Sequence, residues 1–229
     1  MDFDHRGQDE KMEPRDRQIG REFMSTDRKP YVVGITGGIA CGKTTATEHL
    51  QSLGALVLDA DVESRALTAP QGPALPAIRE KFGDEVFFED GTLNRQALGR
   101  IVFADIEQRH ALEAIIHPMV QHKMLSDMQE AGKNGETVVF LSVPLLYETG
   151  MDALCDETWV LHTDRDTQLE RLMERDSMDR ESAEKRIDSQ MDPEERISKA
   201  NVVIRTGRTI EQTRAELGSL YRDLKKRIS

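Results

Sequence analysis

The sequence predicts an α/β fold, a parallel β-sheet flanked on both sides by helices. Short apolar, β-branched runs alternate with stretches of helical period along the chain, and the run ending at Gly37 passes through a glycine-rich loop straight into a helix. Thr137 to Val143 is an apolar run apart from Thr137 and Ser142, as expected of a parallel strand buried on both faces. In order, Val32, Val33 and Ile35 form the first strand, and Thr44 to Leu50, free of breakers, opens the first helix. Ala55 to Leu58 is a second strand ending in Asp59, Ala60 and Asp61. The pattern then turns helical over Pro73 to Phe82, Arg95 to Phe103 and Ile106 to about Gly132, with breaks at Gly83 to Gly91 and at His117-Pro118. After the strand at Thr137 to Val143 comes Pro144-Leu145-Leu146-Tyr147-Glu148, then another strand at Thr158 to Leu161. Thr163 to Asp166 resembles a capping box, starting a helix whose apolar face is Leu169, Leu172 and Met173. Glu174 to about Lys199 is dense in charge, lacks a strong core stripe and predicts a mobile helical flap. Val202 to Ile204 is the last strand and Thr209 to about Arg227 the closing helix.

The 229 residues suit one α/β domain with insertions. Residues 1–29 are charged and lack apolar periodicity, which predicts a disordered extension ahead of a domain at 30–229. Two cysteines, Cys41 and Cys155, exclude a disulfide framework and suit a reducing compartment. No apolar stretch is long enough for a membrane span and no secretory signal is evident, so a cytoplasmic protein is expected. The net charge of −11 argues against non-specific binding to nucleic acid, and means that an anionic substrate must be drawn in by local sites.

Gly37, four residues, then Gly42, Lys43 and Thr44 make a phosphate-binding loop in its strand-loop-helix setting. Such a loop turns successive backbone N–H groups inward, and Gly37, Gly38 and Gly42 allow the close approach; Ile39, Ala40 and Cys41 fill the intervening positions and Thr45 follows. Lys43 is placed to meet the β- and γ-phosphates and the Thr44 hydroxyl to ligate a bridging Mg²⁺, so ATP with Mg²⁺ is the expected ligand. Cys41 reads as a small neutral filler, although a helix N-terminus and Lys43 would favour its thiolate and an alkylation that ATP blocks. No histidine has metal-ligand partners at a recognised spacing, leaving nucleotide-borne Mg²⁺ as the only expected metal.

Asp59 and Asp61 lie outside the carboxyl end of a strand, where open α/β sheets form their ligand crevice. If the strand continues, they face opposite ways, one toward Lys43 or metal-bound water and the other, Asp61, toward an acceptor hydroxyl as base. The alternative is a helix N-cap. Arg171 and Arg175, four apart, share a helical face that can clamp phosphate or pair with Glu170, Glu174 and Asp176, while Arg180 and Arg186 read as exposed surface. A flap closing over the nucleotide would exclude water.

Taken together, these segments resemble the dephospho-coenzyme A kinase family from about Tyr31 to the C-terminal helix. The marks are Gly34 to Thr44, Leu58 to Asp61 with Arg65, Phe82-Gly83 with Asp90 to Arg95, His117-Pro118, Val143 to Glu148, Gln168 to Arg171 with Arg175-Asp176, and Arg186 with Ser189 to Met191. The resemblance implies a P-loop nucleotide-kinase-like core, a helical acceptor-binding subdomain at 62–135, a lid at 171–195, and ATP-dependent phosphorylation of the ribose 3′-hydroxyl of dephospho-CoA. It also implies Asp61 as the base, Lys43 with the lid arginines Arg171 and Arg175 on the transferred phosphate, and Asp59, Asp61, Arg65, His117, Leu145 and Leu146 on the acceptor. The chain departs from the family at Asn201, usually Asp, and at Thr206, usually Asn, in the strand and turn expected near adenine. Another small-molecule kinase of the same core is the nearest alternative. A GTP-dependent switch lacks its Asn-Lys-x-Asp segment here.

Overall fold

The computed structural model describes residues 29–228, so the expected N-terminal extension lies almost wholly outside the described residues. Strand β1 (Tyr31–Gly37) leads through the glycine loop into helix α1 (Lys43–Ser52), followed by β2 (Leu56–Asp59). Four helices come next: α2 (Ala60–Leu67), α3 (Leu75–Phe82), α4 (Arg95–Ala104) and α5 (Ile106–Lys133). Then follow β3 (Val138–Ser142), β4 (Glu157–His162), α6 (Arg165–Asp176), α7 (Arg180–Asp188), α8 (Pro193–Ser198), β5 (Val202–Arg205) and α9 (Ile210–Ile228). The strands form one sheet in the order β2-β3-β1-β4-β5, with every pairing parallel.

Central position explains the composition of β1. Flanked by β3 and β4, it is buried from Val32 to Gly37 and has no face that needs polar residues. Its side chains alternate between two cores. Val32 joins Leu141, Leu146 and the inner residues of α5, including Ile116, Met124 and Met128. Val33 and Ile35 join Phe140, Trp159, Leu50 of α1, and Leu217 and Tyr221 of α9. In that second core the Phe140 ring makes edge contacts with Trp159 at 5.4 Å and Tyr221 at 5.6 Å between centroids.

Two features differ from the sequence expectation. Helix α5 runs without interruption through His117 and Pro118 for 28 residues. Proline removes one backbone donor, but Ile116, Val120, Met124, Leu125 and Met128 are buried on both sides of it and hold the two halves in one helix. The charge-dense segment also has a core of its own: Ala183 and Ile187, four apart on α7, pack on Leu169 and Leu172 of α6, with Ile39 and Ala40 of the glycine loop against them. Such a two-residue stripe is hidden by the charges around it. Among the described residues, no helix is long and apolar enough to cross a membrane.

Candidate active site

The Gly37–Thr45 loop borders a cavity of about 440 Å³ at the carboxyl end of the sheet, completed by Asp61, Pro144, Arg171, Arg175 and Gln190. Two glycines are sterically required. A methyl group at Gly37 would lie 2.6 Å from the Leu161 carbonyl oxygen, and Gly42 has φ +82°. Gly42 is also the N-cap of α1 and supplies no side-chain cap, and the first turn of this helix has no acidic residue. By contrast, α2, α4, α5, α6, α7 and α8 start with capping oxygens from Asp59, Asn94, Asp105, Asp164, Asp179 and Asp192. The N-terminus of α1 therefore presents open N–H groups and a positive dipole end to the cavity, which suits an anion.

Lys43 is fixed by three partners. Its Nζ donates to Ser142 Oγ at 2.9 Å and lies 3.6 Å from Asp59 Oδ2 and 3.9 Å from Asp61 Oδ2. Ser142 Oγ in turn donates to Asp59 Oδ2 at 2.6 Å. Parallel pairing makes this possible, since Asp59 of β2 is in register with Ser142 of β3, which lies opposite Ile35 of β1.

The two aspartates are not alike. Strand β2 stops at Asp59 and α2 starts at Ala60, so the chain turns instead of carrying the pair to opposite faces. Asp59 does what both readings proposed: Oδ1 caps α2 through the N–H groups of Asp61 and Val62, while Oδ2 faces Ser142 and Lys43. With both oxygens engaged, it is a fixed counter-charge. The Asp61 side chain is 57% exposed, lines the cavity and approaches Lys43 at its edge. A carboxylate so placed can accept a proton from a group entering the cavity.

Helix α6 brings two guanidinium groups to the opposite wall. Arg171 donates to the carbonyl oxygens of Thr206 at 2.8 Å and Ala40 at 3.5 Å, and so pairs with backbone, not with Glu170 or Glu174. Arg175 makes a two-point contact with its neighbour Asp176 at 2.7 and 3.1 Å, and this hydrogen bonding holds the Asp176 carboxyl below its usual range. Arg186 shares Asp176 at 2.6 Å and Arg180 pairs with Glu184 at 2.9 Å, both on the surface.

The glycine loop is gripped from the same side. Gln190 Oε1 accepts from the Ile39 N–H at 2.7 Å and Gln168 Nε2 donates to the Ile39 carbonyl at 2.9 Å. Next to it, Ala40 has φ +59°, a strained value for a residue with a side chain. Thr206 Oγ1 adds a bond to the Cys41 carbonyl at 2.9 Å. Thr206 thus serves the loop, while Asn201 Oδ1 accepts from the N–H and hydroxyl of Thr158 at the start of β4. Cys41 is 3% exposed, and burial pushes its thiol above the usual range against the opposing fields of Arg196 and Arg171. That favours the filler role over an activated thiolate.

Of the remaining expected site residues, Thr44 is exposed at the cavity beside Thr45, where its hydroxyl is open to a ligand. No group of three or more His, Cys, Asp or Glu side chains able to hold a metal occurs among the described residues. Arg65, exposed, stands one turn past Asp61 on α2. His117 is exposed on α5 and does not border the loop cavity. Leu145 is half-buried, whereas Leu146 is fully buried in the core, where it packs and offers no surface. Reasoning from the sequence assigned no role to Ser142, Gln168 or Gln190. A hydroxyl ending the apolar run Val138 to Leu141 was the one local signal for Ser142.

The sequence profile of the dephospho-CoA kinase family matches residues 31–212. The chain is 42% identical over 192 residues to a dephospho-CoA kinase of Geobacter metallireducens, covering 84% of this chain and 96% of that one. A dephospho-CoA kinase of Symbiobacterium thermophilum is also 42% identical, over 83% of this chain and 80% of its own length. Among solved structures, TT1252 from Thermus thermophilus superposes with a TM-score of 0.71 at 32% identity, covering 85% of this chain and 98% of that one. Dephospho-CoA kinase from Campylobacter jejuni gives a TM-score of 0.61 at 28% identity, covering 85% and 97%. With its loop, sheet and match along most of its length, the chain belongs to the dephospho-CoA kinase family.

Proposed function

We propose that the protein transfers the γ-phosphoryl group of ATP to the ribose 3′-hydroxyl of dephospho-CoA, giving coenzyme A and ADP. The observation that carries this reading is the Lys43 ammonium, held by Ser142 and Asp59 in the wall of the 440 Å³ loop cavity, with the exposed Asp61 carboxylate beside it. The open N–H groups at the start of α1, with those of the loop other than Ile39 and Cys41, which are bonded to Gln190 and Gly38, hold the β- and γ-phosphates. Lys43 neutralises charge on the oxygens of the transferring group, and Mg²⁺, when bound with the nucleotide, supplies further charge neutralisation with the Thr44 hydroxyl as a protein ligand. The acceptor oxygen forms its bond to the γ-phosphorus as the bond to the β,γ-bridging oxygen breaks, and its proton passes to Asp61.

Arg171 and Arg175 act from α6. Arg171 already spans the loop and the Thr206 turn, and Arg175 exchanges its exposed contact with Asp176 for a phosphate oxygen. Residues 171–195, which take in the last turns of α6, all of α7 and the start of α8, serve as the lid, and residues 62–135 as the acceptor-binding subdomain. Arg65, His117 and Leu145 are assigned to the acceptor side, Arg65 by its place one turn beyond Asp61.

The test is a coupled ADP-release assay with ATP and Mg²⁺, offering dephospho-CoA, adenosine, AMP and gluconate separately and weighing the product. Turnover with dephospho-CoA alone, with one phosphate added at the ribose 3′ position, is the expected result. Turnover only with another acceptor keeps the loop chemistry and overturns the substrate.

A further inference from the structure

Against the glycine loop, but not among the residues that line the cavity, lies a buried cation with few partners. Arg196 of α8 is 5% exposed. Of its five N–H donors, one on Nη2 reaches the Met191 carbonyl at 2.9 Å, while Nε is buried with no hydrogen-bond partner. Its carboxylate neighbour, Glu148 Oε1, is 3.8 Å away, too far for a hydrogen bond. Removing a guanidinium from water is costly unless excellent geometry offsets it, and this geometry is loose.

Position gives the charge a use. A methyl group built on Gly38 would sit 3.2 Å from Arg196 Nη1 and 2.7 Å from Gln168 Nε2, so the guanidinium abuts the loop backbone. Its field reaches the loop, because Arg196 and Arg171 both oppose the upward pull of burial on Cys41. The Met191 carbonyl that Arg196 holds follows Gln190, whose side chain accepts from the Ile39 N–H. One side chain therefore links the end of the lid segment, the loop and the segment after β3.

We propose that Arg196 is a positioning residue for the nucleotide: its buried guanidinium presents fixed positive charge to the phosphates through the loop, without touching them, and Glu148 is the partial counter-ion that this charge keeps when no phosphate is bound. The proposal rests on the nucleotide reading of the loop. Low local dielectric and a short path through one layer of backbone let such a charge act over several ångströms. Glu148, its side chain 26% exposed and its carboxylate beyond hydrogen-bonding distance, competes only weakly.

Isothermal titration with ATP and, separately, with uncharged adenosine tests this on the full chain. Arg196→Gln weakens ATP on the order of tenfold and leaves adenosine within about twofold, and Arg196→Lys restores part of the loss. Glu148→Gln, which removes the competing carboxylate, tightens ATP by roughly two- to fivefold. Equal weakening of both ligands in Arg196→Gln, or unchanged ATP affinity, overturns the proposal by making the residue merely structural. If Arg196→Gln does not fold, Glu148→Gln decides: unchanged or weaker ATP binding overturns the proposal, and tighter binding supports it. A wild-type protein that binds no ATP overturns the nucleotide reading and the proposal with it, an outcome distinct from all the others.

Discussion

Asparagine at position 61 and asparagine at position 59 separate chemistry from architecture. Both changes remove one negative charge near Lys43, at 3.9 Å and 3.6 Å respectively. Asp61 has an exposed carboxylate, so its replacement costs the fold within about 0.5 kcal/mol. Asp59 donates nothing but accepts three times, from the N–H groups of Asp61 and Val62 and from Ser142 Oγ. Asparagine caps a helix about as well as aspartate, so the cap survives. The charge-assisted bond from Ser142 does not, and its loss costs roughly 1.5–3 kcal/mol. For a chain of this size that lowers the melting temperature by about 3–12 °C, against under about 2 °C for the change at position 61.

Turnover runs the other way. Removing the proton acceptor lowers kcat by about 10²–10⁴-fold in Asp61→Asn, with ATP affinity within a few-fold of wild type. Asp59→Asn loses activity chiefly through a displaced Lys43. Coupled ADP release with dephospho-CoA and thermal unfolding followed by circular dichroism read the two effects separately. A fully active Asp61→Asn protein would refute the assignment of the base. An inactive Asp59→Asn protein of unchanged melting temperature would exchange the two roles.

Lys43→Ala removes charge stabilisation of the transferring group and lowers turnover on the order of 10²-fold or more; activity within twofold of wild type takes Lys43 out of the mechanism. Gly37→Ala, whose methyl group would meet the Leu161 carbonyl at 2.6 Å, destabilises the protein by about 1–3 kcal/mol, measured by chemical denaturation; an unchanged midpoint refutes the close approach. Gln168→Ala leaves the Ile39 carbonyl without its side-chain donor and raises the KM for ATP several-fold, at a stability cost of about 1–3 kcal/mol; an unaltered KM removes the glutamine from control of the loop. Burial pushes the Cys155 thiol up to about 12. Its folded form therefore keeps a proton that the unfolded chain releases from about pH 8.5 upward, and its contribution to stability falls by up to about 1.4 kcal/mol per pH unit from there to about pH 12. Denaturation of wild type and Cys155→Ala across this range checks the sign: the wild-type curve falls more steeply, and parallel curves exclude the thiol.

How far the sequence could be read depends on whether the determining interactions are local. Local chemistry dictated the phosphate loop, because Gly37, Gly42, Lys43 and Thr44 act through backbone dihedrals and a helix start within one segment. The strands of the buried sheet were legible for the same reason, as a parallel strand covered on both faces has to be apolar throughout. Pro118 misled the reading: a local rule predicted a break, but buried residues on both sides outweighed one missing donor. Only the tertiary structure joined Ser142 to Asp59 and Lys43, through strand register, and set Asp59 apart from Asp61 by where β2 stops. It alone brought Gln168, Gln190 and Arg196 onto the loop from more than a hundred residues away, since a glutamine or arginine carries no sign in its own sequence neighbourhood of which distant backbone group it will meet.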